Sequence, residues 1–279
     1  MCIRDLLILG MEKLIEYNID EYTLKAKMLL CDILKVKKEY LIINDLEEVD
    51  SFREQEFFRK IDLLCIEEPI QYIIGKQEFM GLEFNVNKSV LIPQPDTEIL
   101  VEKVIEIIKR ENKEISVLDL CTGSGAIGIS IKKLTDNTTV TASDISLRAL
   151  RVARENAEKL EVDVNFIESD LFENINSKFD IIVSNPPYIK SEIIEKLPEE
   201  VKKEPIIALD GGVDGLEFYK NIINNCENYL NEKGFLCLEI GYDQKEDLEK
   251  LIEATGKFEN VEILRDFGGN YRVIICNLK

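Results

Sequence analysis

Ser116-Val117-Leu118-Asp119-Leu120-Cys121-Thr122-Gly123-Ser124-Gly125 is the stretch that decides the fold of this chain. Its first half is an apolar run with the length of a buried strand, and its second half is a glycine-rich turn. A helix-like pattern follows from Ala126. Glycine lets the backbone approach a ligand closely at the carboxyl end of a strand, where open α/β sheets bind cofactors. The stretch therefore predicts a strand, a turn and a helix that form a nucleoside-binding unit.

Strands and amphipathic helices alternate from this stretch to the end of the chain. The predicted strands are 116–120, 140–143, 164–168, 179–184, 234–240, 261–264 and 271–276, and the predicted helices are 126–134, 147–160, 216–230 and 244–255. Such alternation is typical of α/β proteins with a doubly wound, Rossmann-like parallel sheet. Because only Asp266 to Asn270 separate the last two strands, we expect the sheet to end in an antiparallel hairpin.

The region before the sheet domain has a different pattern. Residues 1–68 show helical spacing of apolar residues and predict a small N-terminal helical bundle. Residues 69–90 contain two β-like runs, 70–74 and 82–86, which we interpret as a connecting hairpin. The sheet domain is expected to span 91–279. At its start, Pro93 and Pro95 end any strand and open a helix that Asp96 or Thr97 would cap.

Acidic residues flank the glycine turn. Asp144 lies at the end of the second predicted strand, about 20 residues beyond the turn, where an acid can accept both ribose hydroxyls. Asp119 can hold the ammonium group of a methionine moiety or brace the turn by accepting backbone N–H bonds. The run 123–128 also fits the dinucleotide pattern G-x-G-x-x-G, and such a turn can serve tight packing alone. The turn therefore leaves the cofactor undecided.

The fourth predicted strand ends in Asn185-Pro186-Pro187-Tyr188. Two prolines fix two φ angles, so the loop is stiff, and the Asn185 side-chain oxygen and Pro186 carbonyl can accept the two hydrogens of an NH2 group. Tyr188 can offer a flat face to a planar acceptor. An amide or aromatic amine nitrogen is a poor nucleophile that needs such bonds and alignment with a methyl donor. The loop therefore predicts S-adenosylmethionine-dependent N-methylation, with an ordinary turn as the alternative.

The composition restricts the chemistry that is available to the site. The chain has 279 residues and no histidine, which excludes mechanisms that need an imidazole base. Its seven cysteines lack a Cys-x-x-Cys pair, so neither a disulfide framework nor a metal site is indicated. No apolar stretch has membrane-spanning length, and the first residues make a poor signal peptide. We expect a cytoplasmic, monomeric protein without membrane contact.

The formal net charge of −19 bears on the partner. Nonspecific affinity for nucleic acid comes from basic surfaces, so this charge argues against direct nucleic-acid binding and suggests a basic protein partner. Acidity that serves solubility alone is the alternative interpretation.

Several further segments carry a resemblance to a known family. They are 68–75 (EPIQYIIG), 91–98 (LIPQPDTE), 204–209 (EPIIAL), 214–216 (DGL) and 266–272 (DFGGNYR). Together with the NPPY loop, they make nearly the whole chain similar to the PrmC/HemK protein-glutamine N5-methyltransferases. Enzymes of that family modify the glutamine of the Gly-Gly-Gln motif in class I peptide-chain release factors. The resemblance implies a class I methyltransferase sheet, S-adenosyl-L-methionine as cofactor and a release factor as partner.

The resemblance also implies roles for individual residues. Cys121, Thr122, Gly123, Ser124 and Gly125, with Asp144, Leu171 and Asn185, would contact the cofactor. Residues 185–188 would hold the substrate glutamine, and the N-terminal helices would help to dock the release factor. Cys121 stands where the family usually has glycine, and Gln94 where it usually has arginine. A cysteine fits the turn if its φ angle is negative.

Three other functions compete with this interpretation. Adenine N6 and guanine N2 are also planar NH2 groups, so a nucleic-acid amino-methyltransferase could use the same two acceptors, the Asn185 side-chain oxygen and the Pro186 carbonyl. However, residues 1–85 have 11 Lys or Arg and 18 Asp or Glu, and their formal charge of −7 would repel a phosphate backbone. A nicotinamide oxidoreductase would need a hydride-transfer site, which the sequence does not suggest. A noncatalytic scaffold that holds a basic protein is the third alternative.

Overall fold

The computed structural model describes residues 1–111 and 113–279 and divides the chain into two compact units. One unit, here called the helical unit, consists of Met1–Gly75 and Pro198–Lys203. The other, the sheet unit, consists of Lys76–Leu197 and Glu204–Lys279. In the described part of the chain, no helix combines the length and apolar character that crossing a bilayer requires.

The helical unit confirms the helical pattern of the N-terminal region. Its helices are α1 (Ile3–Glu16), α2 (Tyr22–Leu34), α3 (Lys38–Ile43), α4 (Ser51–Cys65), α5 (Ile70–Ile74) and, from the returning segment, α10 (Glu199–Lys202). Leu6, Leu30 and Phe57 are fully buried in its core. The Asp50 side chain caps α4 by accepting from the backbone N–H groups of Phe52 and Arg53. The pattern was readable because these helices bury one apolar face against each other.

Residues 70–74, predicted as a strand, form helix α5 instead. The helix begins directly after Pro69, whose carbonyl accepts from the N–H groups of Tyr72 and Ile73. It ends at Gly75, which has a φ of 81° and caps the C-terminus. A short apolar run does not distinguish a strand from a buried helical turn, and here the run packs its isoleucines into the helical core.

A hairpin does follow, but it starts later than the sequence suggested. Strands β1 (Lys76–Phe79) and β2 (Leu82–Asn85) pair in antiparallel fashion. The two residues between them, Met80 and Gly81, both have positive φ angles, of 54° and 70°. Such angles are those of a tight two-residue hairpin turn, whose twist matches that of the strands.

The sheet unit contains a mostly parallel sheet, as predicted. Within the described residues it has seven strands, β3 (Ile115–Leu120), β4 (Thr138–Asp144), β5 (Asn165–Glu168), β6 (Phe179–Ser184), β7 (Leu230–Glu239), β8 (Phe258–Arg265) and β9 (Tyr271–Leu278). Their spatial order is β5-β4-β3-β6-β7-β9-β8. The pairs from β5 to β7 are parallel, whereas β9 is antiparallel to both β7 and β8. The predicted C-terminal hairpin is thus confirmed, with its second strand inserted beside β7.

The helices of the sheet unit cover two apolar cores. They are α6 (Glu98–Arg110), α7 (Ala126–Leu134), α8 (Leu147–Lys159), α9 (Ser191–Ile194), α11 (Glu217–Asn225) and α12 (Lys245–Thr255). One core contains residues of α6 and α7, and the other contains residues of α11 and α12. The helix predicted for 216–230 is wrong at its end, since a 3-10 turn at Cys226–Asn228 follows α11 and Leu230 already belongs to β7.

The chain order creates a switch point in the middle of the sheet. From β3 the chain proceeds outward to β4 and β5, then returns to place β6 on the other side of β3. At the carboxyl ends, Leu120 pairs with Ser184, whose hydroxyl donates to the Leu120 carbonyl at 2.7 Å. Open α/β sheets bind ligands at such a point. The glycine turn after β3 and the NPPY loop after β6 therefore begin side by side.

Candidate active site

Asp119 braces the glycine turn from below. Its Oδ2 atom accepts from the Thr122 hydroxyl at 2.5 Å and from the Gly128 N–H at 2.9 Å. A Cβ atom at Gly128 would lie 2.9 Å from the same oxygen, so this glycine allows the first turn of α7 to pack on β3. Burial raises the pKa of Asp119 to about 7, although both hydrogen bonds lower it. Two roles were considered for Asp119, and these hydrogen bonds show that it braces the glycine turn.

The second oxygen of Asp119, Oδ1, is buried and has no hydrogen-bond partner among the described residues. A role in holding the ammonium group of a methionine moiety therefore stays a prediction. The turn itself contains positive φ angles at Gly123, of 56°, and at Gly125, of 83°. A Cβ atom at Gly123 would meet no heavy atom within 4 Å, whereas one at Gly125 would lie 2.5 Å from Ile129. The first glycine thus leaves space for a ligand, and the second serves packing.

Cys121 does not have the negative φ angle that the sequence analysis required of it. Its φ angle is 58°, in the left-handed region that glycine adopts without cost. The side chain packs partly buried against the apolar core of α11 and α12. Burial raises the pKa of the thiol, followed in importance by the nearby Asp144 carboxylate, so the thiol stays neutral. The residue therefore occupies a position shaped for glycine.

Asp144 lies at the end of β4 and points to the glycine turn. Its Oδ2 accepts from the Gly123 N–H at 2.9 Å, and its Oδ1 accepts from the Ser146 N–H at 2.8 Å. Burial raises the pKa of this carboxyl group, while the two backbone hydrogen bonds lower it. Each carboxylate oxygen has a further lone pair, so the fixed group can still accept from ribose hydroxyls.

The loop after β5 holds Leu171 beside the same site. The Ser169 hydroxyl donates to the Leu171 carbonyl at 2.9 Å and accepts from the Asn174 N–H at 2.9 Å. The Ser169 N–H donates to the Asp144 carbonyl at 3.0 Å, which ties the loop to the end of β4. Leu171 has a φ of 44°, so the loop presents its side chain in a fixed, unusual conformation. Residue-type signals did not single out Ser169.

A cleft runs along these carboxyl ends and has two lobes. The larger lobe encloses about 870 Å³ of space between atoms, including its open mouth. Among the residues that line it are Gly123, Asp144, Leu171, Asn185 and Phe218. The smaller lobe is lined by the glycine turn, by Gln94 and Thr97, and again by Asn185. Asn185 thus faces both lobes.

Of the predicted site residues, the cleft gathers some and leaves others beneath it. Those that line one or both lobes are Cys121, Thr122, Gly123, Ser124, Asp144, Leu171, Asn185 and Pro187. The linings of these two lobes do not include Asp119, Gly125, Pro186 or Tyr188. The roles of these residues in binding remain predictions.

The residues present fit S-adenosylmethionine. Asp144 supplies fixed acceptors for a ribose, and the space above Gly123 allows a ligand to approach the backbone. Leu171, Ile145 and Phe218 add apolar surface to the larger lobe for a planar base. Acidic and apolar groups in this arrangement suit a nucleoside that carries a positive charge.

Tyr188 is anchored below the cleft. Its hydroxyl donates to Glu239 Oε1 at 3.3 Å, and its carbonyl accepts from the Gln244 side chain at 3.0 Å. Burial raises the pKa of the phenol, and the Glu239 carboxylate raises it further. Cβ atoms at Gly211 and Gly215 would each lie 2.6 Å from Tyr188 backbone atoms, so these glycines allow the close packing of the loop. The contact of its ring with an acceptor stays a prediction.

Thr97 and Glu239 make hydrogen bonds with Asn185 and Tyr188 of the NPPY loop, and sequence reasoning missed both contacts. Thr97 was one of two expected caps of α6, but its side chain makes no capping bond. Instead its hydroxyl donates to Glu239 Oε2 at 2.5 Å and accepts from the Asn185 side-chain amide at 3.3 Å. The signal that could have located Thr97 is its place in the segment 91–98, which carries the family resemblance. Glu239 had no such local signal.

Comparisons with known proteins find relatives along nearly the whole chain. The family described as PrmC N-terminal domain matches residues 5–75, and the methyltransferase small domain matches residues 95–202. The release factor glutamine methyltransferase of Clostridium botulinum is 43% identical over 98% of this chain and 98% of its own length. That of Clostridium acetobutylicum is 42% identical over 99% of this chain and 98% of its own length.

A solved structure supports the fold. The 16S rRNA N2 G1207 methyltransferase of T. thermophilus, determined in complex with AdoMet and guanosine, is similar with a TM-score of 0.53 and 19% identity. The match covers 73% of this chain and 50% of that one. Since the curated relatives match over nearly their whole length, the chain belongs to the release factor glutamine methyltransferase family.

Proposed function

We propose that this enzyme transfers a methyl group from S-adenosyl-L-methionine to the side-chain amide nitrogen of a glutamine. The proposed substrate is the glutamine of the Gly-Gly-Gln motif in class I peptide-chain release factors, and the relatives are named release factor glutamine methyltransferases. The observation that carries the proposal is the position of Asn185. It follows β6 at the switch point and faces both the nucleoside lobe and the adjoining lobe of the cleft.

The chemistry requires that a weak nucleophile be oriented. The amide nitrogen of glutamine is a poor nucleophile because its lone pair is delocalised into the carbonyl group. Acceptors that bind both of its protons increase the electron density on nitrogen and direct it at the methyl group. The Asn185 side-chain oxygen and the Pro186 carbonyl are proposed to accept these bonds. When bound, S-adenosylmethionine supplies a methyl group on a positively charged sulfur. The new N–C bond replaces the S–C bond, and the surplus proton leaves the nitrogen to water.

The Asn185 side-chain oxygen and the Pro186 carbonyl are here called the amide clamp. The release factor is proposed to be recognised by further contacts outside this clamp. A clamp of two acceptors suits any planar NH2 group, so it does not separate glutamine from adenine. Two glycines before the glutamine would let its backbone approach the stiff NPPY loop. The acidic chain, with a formal charge of −19, favours a basic protein over a nucleic acid. Docking by residues 1–68, a monomeric enzyme and a cytoplasmic location complete the proposal.

The test is methyl transfer to purified acceptors. A release factor is incubated with the enzyme and methyl donor, and mass spectrometry of its peptides locates the added methyl group. A Gln→Asn variant of the release factor is the matched control, because its amide is one methylene too short for the clamp. We expect methylation of the wild-type glutamine alone. Comparable labelling of the two release factors, or labelling of ribosomal RNA instead of protein, would contradict the proposal.

A further inference from the structure

Three polar side chains from distant parts of the sequence form a line that begins in the cleft, where Asn185 and Thr97 belong to the lining, and ends at Glu239. The Asn185 amide nitrogen lies 3.3 Å from Thr97 Oγ1, and this oxygen lies 2.5 Å from Glu239 Oε2. Thr97 and Glu239 are both buried. Asn185 sits at the end of β6, Thr97 just before α6 and Glu239 at the end of β7.

The direction of the hydrogen bonds in this line follows from which of the three side chains carry a proton to donate. An ionised carboxylate only accepts, so the single hydroxyl proton of Thr97 is donated to Glu239. The Thr97 oxygen can then only accept from its other neighbour. The atom of Asn185 that faces Thr97 must therefore be the NH2 group, and the side-chain oxygen must point the other way.

We propose that Thr97 and Glu239 are positioning residues, which fix the orientation of the Asn185 amide so that its oxygen faces the acceptor glutamine. This inference rests on the proposed function. An amide side chain has two nearly equivalent orientations, since its last torsion is roughly two-fold. In the wrong one, the NH2 group of Asn185 would meet the NH2 group of the substrate, and two donors would oppose each other. The line makes only the productive orientation compatible with its hydrogen bonds.

Glu239 is itself held in place from several sides. The Tyr188 hydroxyl donates to its other carboxylate oxygen at 3.3 Å, and the Tyr219 hydroxyl donates to its backbone carbonyl at 2.8 Å. Arg272 adds a positive charge that lowers its pKa. The guanidinium group is in turn paired with Asp266 at 3.0 Å and Asp96 at 3.3 Å. The acceptor at the end of the line therefore has a fixed position.

Protonation of Glu239 should weaken the preference for the productive orientation of the Asn185 amide. Burial raises the pKa of Glu239 to about 7, while the Thr97 bond and the Arg272 charge lower it. The groups that face it are Thr97, Tyr188, Tyr219, Arg272 and Asp96. Below that pH the neutral carboxyl group can donate its proton to Thr97, whose own proton is then free to point at Asn185. The kcat of the wild-type enzyme should therefore fall as the pH decreases through about 7.

Two substitutions of Thr97 test the proposal. Thr97→Val keeps the shape of the side chain but removes the hydroxyl, whereas Thr97→Ser keeps the hydroxyl. Thr138→Val is the matched control, because Thr138 is also buried and hydrogen-bonded but lies at the start of β4, the opposite end from the cleft. Each variant is assayed for kcat and KM with a release factor, for cofactor affinity by calorimetry and for kcat against pH.

We expect kcat of Thr97→Val to fall by about tenfold or more, since a lost alignment weakens an interaction made in the transition state. The KM for the release factor and the cofactor affinity should change little, and the decrease in kcat below pH 7 should disappear. Thr97→Ser should stay within about threefold of the wild type, as should Thr138→Val.

Equal kcat values for Thr97→Val and the wild type would overturn the inference, and so would an equal loss in Thr97→Ser. Either result leaves the proposed function intact, because that function is tested separately, with the wild-type enzyme, by methylation of the release factor, of its Gln→Asn variant and of ribosomal RNA.

Discussion

Cys121 places a side chain where the turn is shaped for glycine, and this should lower the free energy of unfolding. A left-handed conformation costs a residue with a Cβ atom about 1–2 kcal/mol. Its φ angle of 58° puts Cys121 in that region. We expect Cys121→Gly to be more stable than Cys121→Ala by about 1 kcal/mol, as measured by denaturant unfolding. Both variants lack the thiol, so the comparison isolates the backbone. Equal stability of the two would show that the turn relaxes around the side chain.

Asp144 is the residue on which cofactor binding should depend most. Asp144→Asn keeps the size of the side chain but removes the charge and replaces one of the two acceptor oxygens with an NH2 donor, and a charge-assisted hydrogen bond is worth roughly 1.5–3 kcal/mol. We expect the Kd for S-adenosylmethionine to rise about tenfold to a hundredfold in calorimetry. Asp163→Asn makes the same change at an exposed position on another loop and should have no effect. An unchanged Kd in folded Asp144→Asn would remove this acid from the site.

Asn185→Ala should separate catalysis from binding. The loss of one preorganised hydrogen-bonding group in an active site typically costs about 3 kcal/mol of transition-state stabilisation, or roughly a hundredfold in kcat. Cofactor affinity should fall much less, since Asp144 and the glycine turn remain. Single-turnover methylation of a release factor measures the first effect, and calorimetry the second. A rate within a few-fold of the wild type would refute the amide clamp.

The residues of the site differed in how far they could be predicted. Asp144 and Asn185 were accessible because each follows a strand in a local pattern, and parallel strands end at the same edge of a sheet. The partnership of Thr97 with Glu239 was not, because 142 residues separate them and only the folded sheet brings them together. For Thr97, the prediction of a cap failed because its backbone is already helical, with φ and ψ angles of −68° and −20°, and its hydroxyl contacts Glu239 and Asn185 instead.

At the scale of elements, strands that are buried on both faces were the most predictable. The strand 179–184 was predicted with its observed bounds, as was the helix 126–134. Apolar runs of about five residues were less informative, and 70–74 became a helix because Pro69 and Gly75 bound it and the helical core receives its side chains. The end of α11 was missed because Cys226 and Leu230 continue the apolar pattern into a 3-10 turn and a strand.

The cap of α4 allows a test at this scale. The Asp50 carboxylate accepts from the N–H groups of Phe52 and Arg53 at 3.1 Å and 3.0 Å. Asp50→Ala should lower the temperature of thermal unfolding, because the N–H groups at the start of the helix lose their partner. Asp50→Ser, which can cap as well, should be nearly neutral. Thermal unfolding measures both, and a loss of the same size in the serine variant would assign the effect to the charge and not to the cap.

At the scale of the whole molecule, the order of the strands creates the site. The chain returns from β5 to place β6 beside β3, and this joins the glycine turn to the NPPY loop. Alternating strands and helices predict a doubly wound sheet but not which strands become neighbours. The short segment between the last two strands predicted the antiparallel C-terminal hairpin, and the pairing of β9 with β7 and β8 confirms it.

The net charge of the molecule gives the last prediction. A chain with a formal charge of −19 should attract a basic protein over distances up to the Debye length. That length shortens from about 30 Å at 0.01 M ionic strength to about 8 Å at 0.15 M. We therefore expect kcat/KM for an intact release factor to fall by about threefold or more over this range, while kcat changes little. Stopped-time methylation assays at a series of salt concentrations measure both parameters.

A short, uncharged peptide that contains Gly-Gly-Gln is the control for this experiment. It occupies the clamp but carries no charge to be attracted, so its kcat/KM should not depend on salt in the same range. If salt affected the release factor and the peptide equally, the dependence would arise in the cleft, at the bound cofactor or the NPPY loop. If salt changed kcat/KM for neither acceptor, the acidic surface would serve solubility, and recognition of the release factor would depend on short-range contacts alone.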